Sequence, residues 1–194
     1  MSASEPAIRV SYAKTVVATI KQSPTPERDA LLARLDVELR THIRESSLLD
    51  WMAASEFVKL PELVLEVLGT ARARAFWRSN LLVSLERTLL SPLRLGAIAL
   101  YGESPGSLLR MAPQAWQLVS RNGGKCSFSF EPPGPFTLMF KQLPPELRTP
   151  GMLQLWAGGS ESCIELLKFS GRAEAELDAR DPSTAVIRVH WLPR

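Results

Sequence analysis

The sequence predicts an α+β fold, an N-terminal helical layer packed with a four-stranded antiparallel sheet in the order strand–strand–helix–strand–strand. Three observations carry that expectation. Apolar residues recur at helical spacing through the first half of the chain. The period drops to two after Asn122-Gly123-Gly124. Ser/Thr-Pro pairs and proline- or glycine-rich turns divide the segments. At 194 residues the chain can bury one well-filled core. We therefore expect a single domain over 1–194, mainly helical in 1–122 and built on a sheet in 123–194.

Four pairs, Thr25-Pro26, Ser91-Pro92, Ser104-Pro105 and Thr149-Pro150, read as helix starts. In each the hydroxyl can cap free N–H groups and proline suits the first helical position. Leu31, Leu35, Leu39 and Ile43 then recur every four residues, predicting one helix over 26–45. Pro61 opens a short helix through "ELVLEVL" that Gly69 can end in the left-handed conformation. From Thr70 the longest helix begins, with Ala73, Trp77, Leu81, Leu85 and Leu89 on one face and Phe76 and Leu82 widening it. Ser91-Pro92 starts another through "LRLGAIALYG". Ser104-Pro105 starts a helix carrying Leu108, Leu109, Ala112 and Trp116, which Pro113 should kink or divide.

In the second half Cys126, Phe128 and Phe130 alternate with Lys125, Ser127 and Ser129 to make a strand. "EPPGP" is a turn, and Phe136, Leu138 and Phe140 make the next strand. A helix over about 150–169 buries Leu155, Trp156, Cys163, Ile164 and Leu167. Two further strands follow, Ala173, Ala175 and Leu177 in one and Ala185, Ile187, Val189 and Trp191 in the other, across "ARDPST". Residues 1–7 read as a loose terminus.

Composition excludes several function classes. With 45% hydrophobic and 22% charged residues the chain is not disordered. A net charge of +3 is too mild and too dispersed for a nucleic-acid footprint. The densest basic stretch, "TARARAFWRS", places Arg74 and Arg78 on one helical face and reads as solvated surface. Two cysteines, Cys126 and Cys163, build no disulfide framework. No apolar run reaches the roughly 18 residues of a membrane span, and no basic-then-apolar leader opens the chain. A cytoplasmic protein without a membrane span is expected.

The motifs that suggest chemistry lose on spacing. "NGGKC" would need a glycine at Val119, a Ser or Thr at Cys126, and a helix rather than a strand to follow if it were a phosphate loop. Gly158-Gly159-Ser160-Glu161-Ser162 has the first glycine and the serine of a nucleophile elbow but not the last glycine. Asp178 or Asp181 and then His190 follow in hydrolase order. That elbow belongs on a parallel sheet with crossover helices, which this pattern does not predict, so Gly158-Gly159 reads as a bend, a late helix start or close packing on the sheet. Cys126, Cys163, His42 and His190 have no paired metal-ligand spacing, and no metal site is expected. Glu174, Glu176 and Asp178 form an acidic strand face that Arg188 can pair with.

The order of a helical first half, "LLRMAPQAWQLVSRNGG", two strands, a helix and two strands ending in "VIRVHW" resembles the heme–nitric-oxide-binding and vinyl-reductase-type small-molecule-binding superfamily. More closely it resembles an uncharacterised family of about this length found largely in myxobacteria. There a helical region precedes an Arg-x-x-Pro stretch, here Arg110-Met111-Ala112-Pro113, an Asn-Gly turn and a terminal strand ending in tryptophan. In heme-binding relatives a proximal histidine and a Tyr-x-Ser-x-Arg motif hold the cofactor. "LYGESPGS" around Tyr101 departs from that motif, and neither histidine lies in the helix leading into the sheet. No cofactor is expected.

Three functions remain. The first is a non-catalytic regulatory or protein-interaction module, with a protein partner or a homo-oligomer, supported by five tryptophans and amphipathic helices. The alternative is a sensor of a small apolar ligand or cofactor in a pocket between helices and sheet, lined by Trp77, Trp116, Phe140, Trp156 and Cys163. A hydrolase-like enzyme is third.

Overall fold

A computed structural model describes residues 5–87, 91–130 and 134–192. It begins with β1 (Ala7–Arg9), which runs directly into α1 (Val10–Gln22). Neither shows in the sequence, because a three-residue strand has no period and Val/Thr-rich segments are poor helix formers. α1 is nonetheless held by burial of Val10, Ala13, Val16 and Ile20. Two of its hydroxyls bond back along the helix: Thr15 and Thr19 donate to the Ser11 and Thr15 carbonyls, and the C-cap Ser23 donates to the Thr19 carbonyl, each at 3.0 Å.

The helix expected over 26–45 is two helices, α2 (Thr25–Arg34) and α3 (Val37–Glu45). Leu35 is extended, and the Asp36 side chain accepts the Leu39 N–H at 2.8 Å, which starts a new helix. The four-residue apolar spacing survives the break, and Leu31, Leu35, Leu39 and Ile43 are all buried. β2 (Trp51–Ala53) pairs antiparallel with β1, as β3 (Ser120–Arg121) does on its other side. This small sheet, in the order β2-β1-β3, is absent from the sequence reading.

After α4 (Ala54–Phe57) comes α5 (Lys59–Arg87), interrupted by Gly69 at φ 71°, ψ 167°. The break falls where the sequence places it. Leu89, expected on the α5 stripe, lies outside the described residues, as do residues 1–4 and the two adjacent prolines of "EPPGP". α6 (Ser91–Tyr101) precedes α7 (Pro105–Leu109), capped by Ser104, whose Oγ accepts the Ser107 N–H at 3.2 Å. Pro113 sits in the first turn of α8 (Ala112–Val119), so it divides the helix rather than kinking it.

The turn into the larger sheet needs its glycine. Gly124 has φ 85°, and a Cβ there would lie 2.5 Å from the Lys141 carbonyl oxygen. "GGK" therefore serves a close approach of two strands. β4 (Lys125–Phe130), β5 (Phe136–Lys141), β6 (Ser170–Leu177) and β7 (Ala185–Leu192) form an antiparallel sheet in the order β4-β5-β7-β6. α9 (Pro150–Leu166) joins its two hairpins. Phe136, Leu138 and Phe140 on β5, Ala173 on β6, and Ala185, Ile187 and Val189 on β7 are buried. Phe128 and Phe130 on the edge strand β4 stay partly exposed.

α9 packs on β6 and β7 and, on its other side, along α5. The glycine pair is used there rather than against the sheet. A Cβ at Gly158 would meet the Arg74 carbonyl oxygen at 2.5 Å and Trp77 Cβ at 2.8 Å. Two basic side chains bridge the same seam. Arg74 donates to Gln154 Oε1 at 3.2 Å and to the Ala173 carbonyl at 3.1 Å, and stands 3.7 Å from Glu161. Arg78 pairs with Glu165 at 2.9 Å. Arg74 and Arg78 thus join α5 to α9 and β6, which corrects their reading as a solvated face. Their long stems reach partners that a sequence window of one helix does not contain.

Candidate functional site

The catalytic candidates separate in space. Gly158 to Ser162 lie inside the continuous helix α9, with no strand-to-helix turn to expose a serine. Ser160 Oγ donates to the Trp156 carbonyl at 2.9 Å, and Ser162 Oγ to the Arg78 carbonyl at 2.8 Å. Both hydroxyls are spent on backbone oxygens. His190 is exposed on β7 opposite Arg172. His42 Nδ1 lies 2.6 Å from Glu56 Oε1, tying α3 to α4. Among the described residues no cluster of His, Cys, Asp or Glu could hold a metal ion.

What the fold does assemble is a cavity of about 150 Å³ where helices meet the sheet. α9 forms its floor with Leu155, Trp156, Gly159, Ser160 and Cys163. β5 supplies Leu138 and Phe140, and α8 supplies Ala112, Ala115, Trp116 and Val119. Tyr12 of α1, Leu81 and Leu85 of α5, Leu93 and Arg94 of α6, and Leu108 and Leu109 of α7 close the rest. The small residues of α8 and α9 leave the space, and the large aromatics frame it. Phe140 stacks on Trp156 with centroids 4.6 Å apart, and Trp116 meets both edge-on, at 5.2 Å from Phe140 and 6.0 Å from Trp156.

Of the five residues proposed from sequence for such a lining, Trp116, Phe140, Trp156 and Cys163 border this cavity. Trp77 does not. It is buried behind α9, beside Gly158, with Phe76 edge-on at 5.1 Å. The apolar stripe of α5 named it, but that stripe is wide enough for one edge to face α9 and another to face the cavity. Tyr12 and Arg94 were missed. Tyr12 sits on the helix that was not anticipated. Arg94 is a single charge in an apolar helix, and that oddity is the signal that could have marked it.

The electrostatics of the site are simple. Burial pushes the Cys163 thiol up to about 12 and raises the Tyr12 phenol above its ordinary value. Both stay protonated at neutral pH. Arg94 is therefore the one charged side chain among the described lining residues, and its Nε has no hydrogen-bond partner. The indole N–H groups of Trp116 and Trp156 also lack partners.

A second concavity, about 540 Å³, runs past Phe130, Phe136 and Trp191 at the ends of β4, β5 and β7. Ser170, Gly171, Arg172, His190 and Leu192 along it are all exposed. It is a surface groove, and volume alone does not make it the better site.

No protein-family model matches the sequence, and no curated protein does. Solved structures do match the fold. A mutant of an H-NOX protein from K. algicida, in its unliganded Fe(II) form, superposes with a TM-score of 0.64 at 11% identity, over 96% of this chain and 98% of that one. The chain has the H-NOX fold. A point mutant of the T. Tengcongensis H-NOX gives 0.60 at 13% identity, over 95% and 97% of the two chains. An oxygen-binding H-NOX domain related to soluble guanylate cyclases, solved as its oxygen complex, gives 0.59 at 14% identity over 92% of each. The H-NOX likeness spans nearly the whole chain, so it includes both the helices and the sheet that wall the cavity. It agrees with the superfamily resemblance seen in the sequence.

Proposed function

We propose that the chain is a receptor for a small, largely apolar molecule held in the cavity between α8, α9 and β5. The observation that carries this is the cavity itself, about 150 Å³, walled by apolar side chains from both the helices and the sheet. An apolar cavity of about that size can hold a single aromatic ring. The solved neighbours, among them an oxygen-binding H-NOX domain in its oxygen complex, support a ligand-sensing role over a purely structural one. Binding without turnover is part of the proposal, since the site brings together no nucleophile, base and oxyanion donor.

The residues present do not fit heme. The sequence has two histidines, and His42 and His190 both lie away from the cavity. Cys163 and Tyr12 border it, but burial favours the protonated form of each and no Asp, Glu or His among the described lining residues stands there to take the proton. A tetrapyrrole is also several times larger than the single ring such a volume accepts. The fold is shared, and the ligand of this chain is a smaller molecule.

Native mass spectrometry of freshly purified protein, compared with its denatured mass, tests the receptor reading. A surplus mass released on denaturation is expected. Bare protein that also gains no thermal stability from small aromatic compounds would overturn it, because a ligand at 100 times its Kd should add about 2.7 kcal/mol.

One observation favours a second reading, a protein-interaction module. Leu95, Leu100 and Tyr101 of α6 are 59%, 73% and 53% exposed on the helix that also carries Arg94 into the cavity wall. Light scattering that showed a stable oligomer lost on Leu100→Glu would support that reading.

A further inference from the structure

The cavity is apolar in area but not in its hydrogen-bonding demand. Three donors on its lining have no partner: Arg94 Nε, Trp116 Nε1 and Trp156 Nε1. Trp116 and Trp156 are only 8% and 6% exposed, so solvent does not readily serve their N–H groups. Buried donors normally find acceptors, and leaving one unmatched is costly. Trp77 Nε1, behind α9, is unmatched as well, so an orphan indole alone marks no site; what marks this cavity is that three unmatched donors share one small lining.

Charge narrows the description. No Asp or Glu lines the cavity among the described residues, and Arg94 forms no salt bridge there. The lining hydroxyl and thiol are turned as donors toward backbone oxygens of α9, Ser160 Oγ to the Trp156 carbonyl at 2.9 Å and Cys163 Sγ to the Gly159 carbonyl at 3.9 Å. Neither is a partner of Arg94 Nε, Trp116 Nε1 or Trp156 Nε1. Arg94 is half-buried with its Nε enclosed and unpartnered, and a guanidinium with no carboxylate beside it suits an anion, which a carboxylate supplies with two oxygens and about four lone pairs.

Resting on the receptor reading above, we propose that the ligand is a small organic carboxylate, a single aromatic ring or branched aliphatic body bearing one carboxyl group. Its apolar body lies among Leu138, Phe140, Leu155 and Trp156. Its carboxylate faces Arg94 and takes N–H donors from Trp116 and Trp156. Arg94, Trp116 and Trp156 are thus the specificity-determining residues. The apolar walls select for size, and these donors select for the anion.

Paired probes of equal shape test this. Binding of benzoate and of toluene is measured by calorimetry at pH 7 on the full chain, on Arg94→Met, and on Trp156→Phe. Arg94→Lys is included as a conservative control, and near-ultraviolet circular dichroism verifies that each variant is folded. The expected result is tighter binding of benzoate than of toluene. Arg94→Met should weaken benzoate by about 10- to 100-fold, the worth of a charge-assisted hydrogen bond, and leave toluene within about twofold. Trp156→Phe should weaken benzoate by less, and Arg94→Lys should retain part of it. If toluene binds as well as benzoate, or Arg94→Met changes both equally, the carboxylate proposal is overturned while the cavity stands as a neutral-ligand site. If neither probe binds the full chain, both the receptor reading and this proposal fall.

Discussion

Two adjacent glycines in α9 should respond to the same substitution with opposite sign. In an isolated helix, alanine in place of an interior glycine stabilises by about 1 kcal/mol. At Gly159 nothing opposes that gain, since an added Cβ finds Leu81 Cδ2 at 3.4 Å, an ordinary contact. Gly159→Ala should therefore stabilise by up to about 1 kcal/mol. At Gly158 the same Cβ lies 2.5 Å from the Arg74 carbonyl oxygen, 2.8 Å from Trp77 Cβ and 3.1 Å from the Arg78 N. Two of these are backbone atoms of α5 and cannot rotate away. The seam is further held by Arg74 and Arg78 and by the Ser162 hydroxyl on the Arg78 carbonyl. Overpacking of this kind costs about 1–3 kcal/mol, and backbone opposition places it near the upper end. After the helix gain, Gly158→Ala should be destabilising by about 1–2 kcal/mol. The two variants should differ by about 2–3 kcal/mol, or roughly 5–10 °C in Tm for a chain of this size. Urea and thermal melts run side by side read this directly. Equal shifts, or a Gly158→Ala protein more stable than Gly159→Ala, would refute the packing of α9 on α5.

Trp77→Phe should leave ligand affinity unchanged, because Trp77 packs behind α9 and not on the cavity. Calorimetry with any ligand the full chain binds checks this. The Cys163 thiol, pushed up to about 12 by burial, should alkylate at pH 8 at least about a thousandfold more slowly in the folded protein than after denaturation, and timed mass spectrometry reads both rates. Asp181 accepts from Ser183 Oγ and Thr184 Oγ1, each at 2.7 Å, and from the Ser183 N–H at 3.0 Å, which holds its carboxyl below the ordinary value, the Ser183 side-chain bond contributing most. A lowered carboxyl stabilises the fold above the unfolded value and loses that contribution as pH falls through the folded one. A carbon-detected titration should place Asp181 below free aspartate, and Asp181→Asn should flatten this part of the acid limb of stability.

The sheet was legible because alternation is a local signal. Phe136, Leu138 and Phe140 announce β5, and Ala185, Ile187 and Val189 announce β7, with no knowledge of their partners. Proline and hydroxyl caps were legible in part for the same reason: Ser104 and Thr149 do cap α7 and α9, whereas Thr25 is the first residue of α2, whose N-cap is Pro24. What could not be read locally was missed. β1, β2 and β3 are two or three residues long and exist only as each other's partners. α1 is held by burial of Val10, Ala13, Val16 and Ile20, against the propensity of its Val and Thr. The α2–α3 break turns on one aspartate whose capping outweighs an unbroken apolar repeat.

Much of the cavity followed from asking which large aromatics could meet between helices and sheet. Trp116, Phe140 and Trp156 do so, as one edge-and-face cluster. Trp77 looked equivalent in sequence, and only the three-dimensional placement of α9 separates it from them. Arg94 carries one mark in the sequence, as the lone charge of α6, and no more than that. An arginine on a helix is ordinarily solvated, and nothing in "SPLRLGAIAL" shows that its Nε faces no acceptor.

Everything proposed for this protein depends on an apolar, ligand-competent cavity between α8, α9 and β5. Crystals of the protein pressurised with xenon would show it, since xenon enters apolar cavities of about this size. A xenon peak bordered by Leu138, Phe140, Leu155 and Trp156 is expected. Peaks confined to other sites, or side chains closing that space, would contradict it.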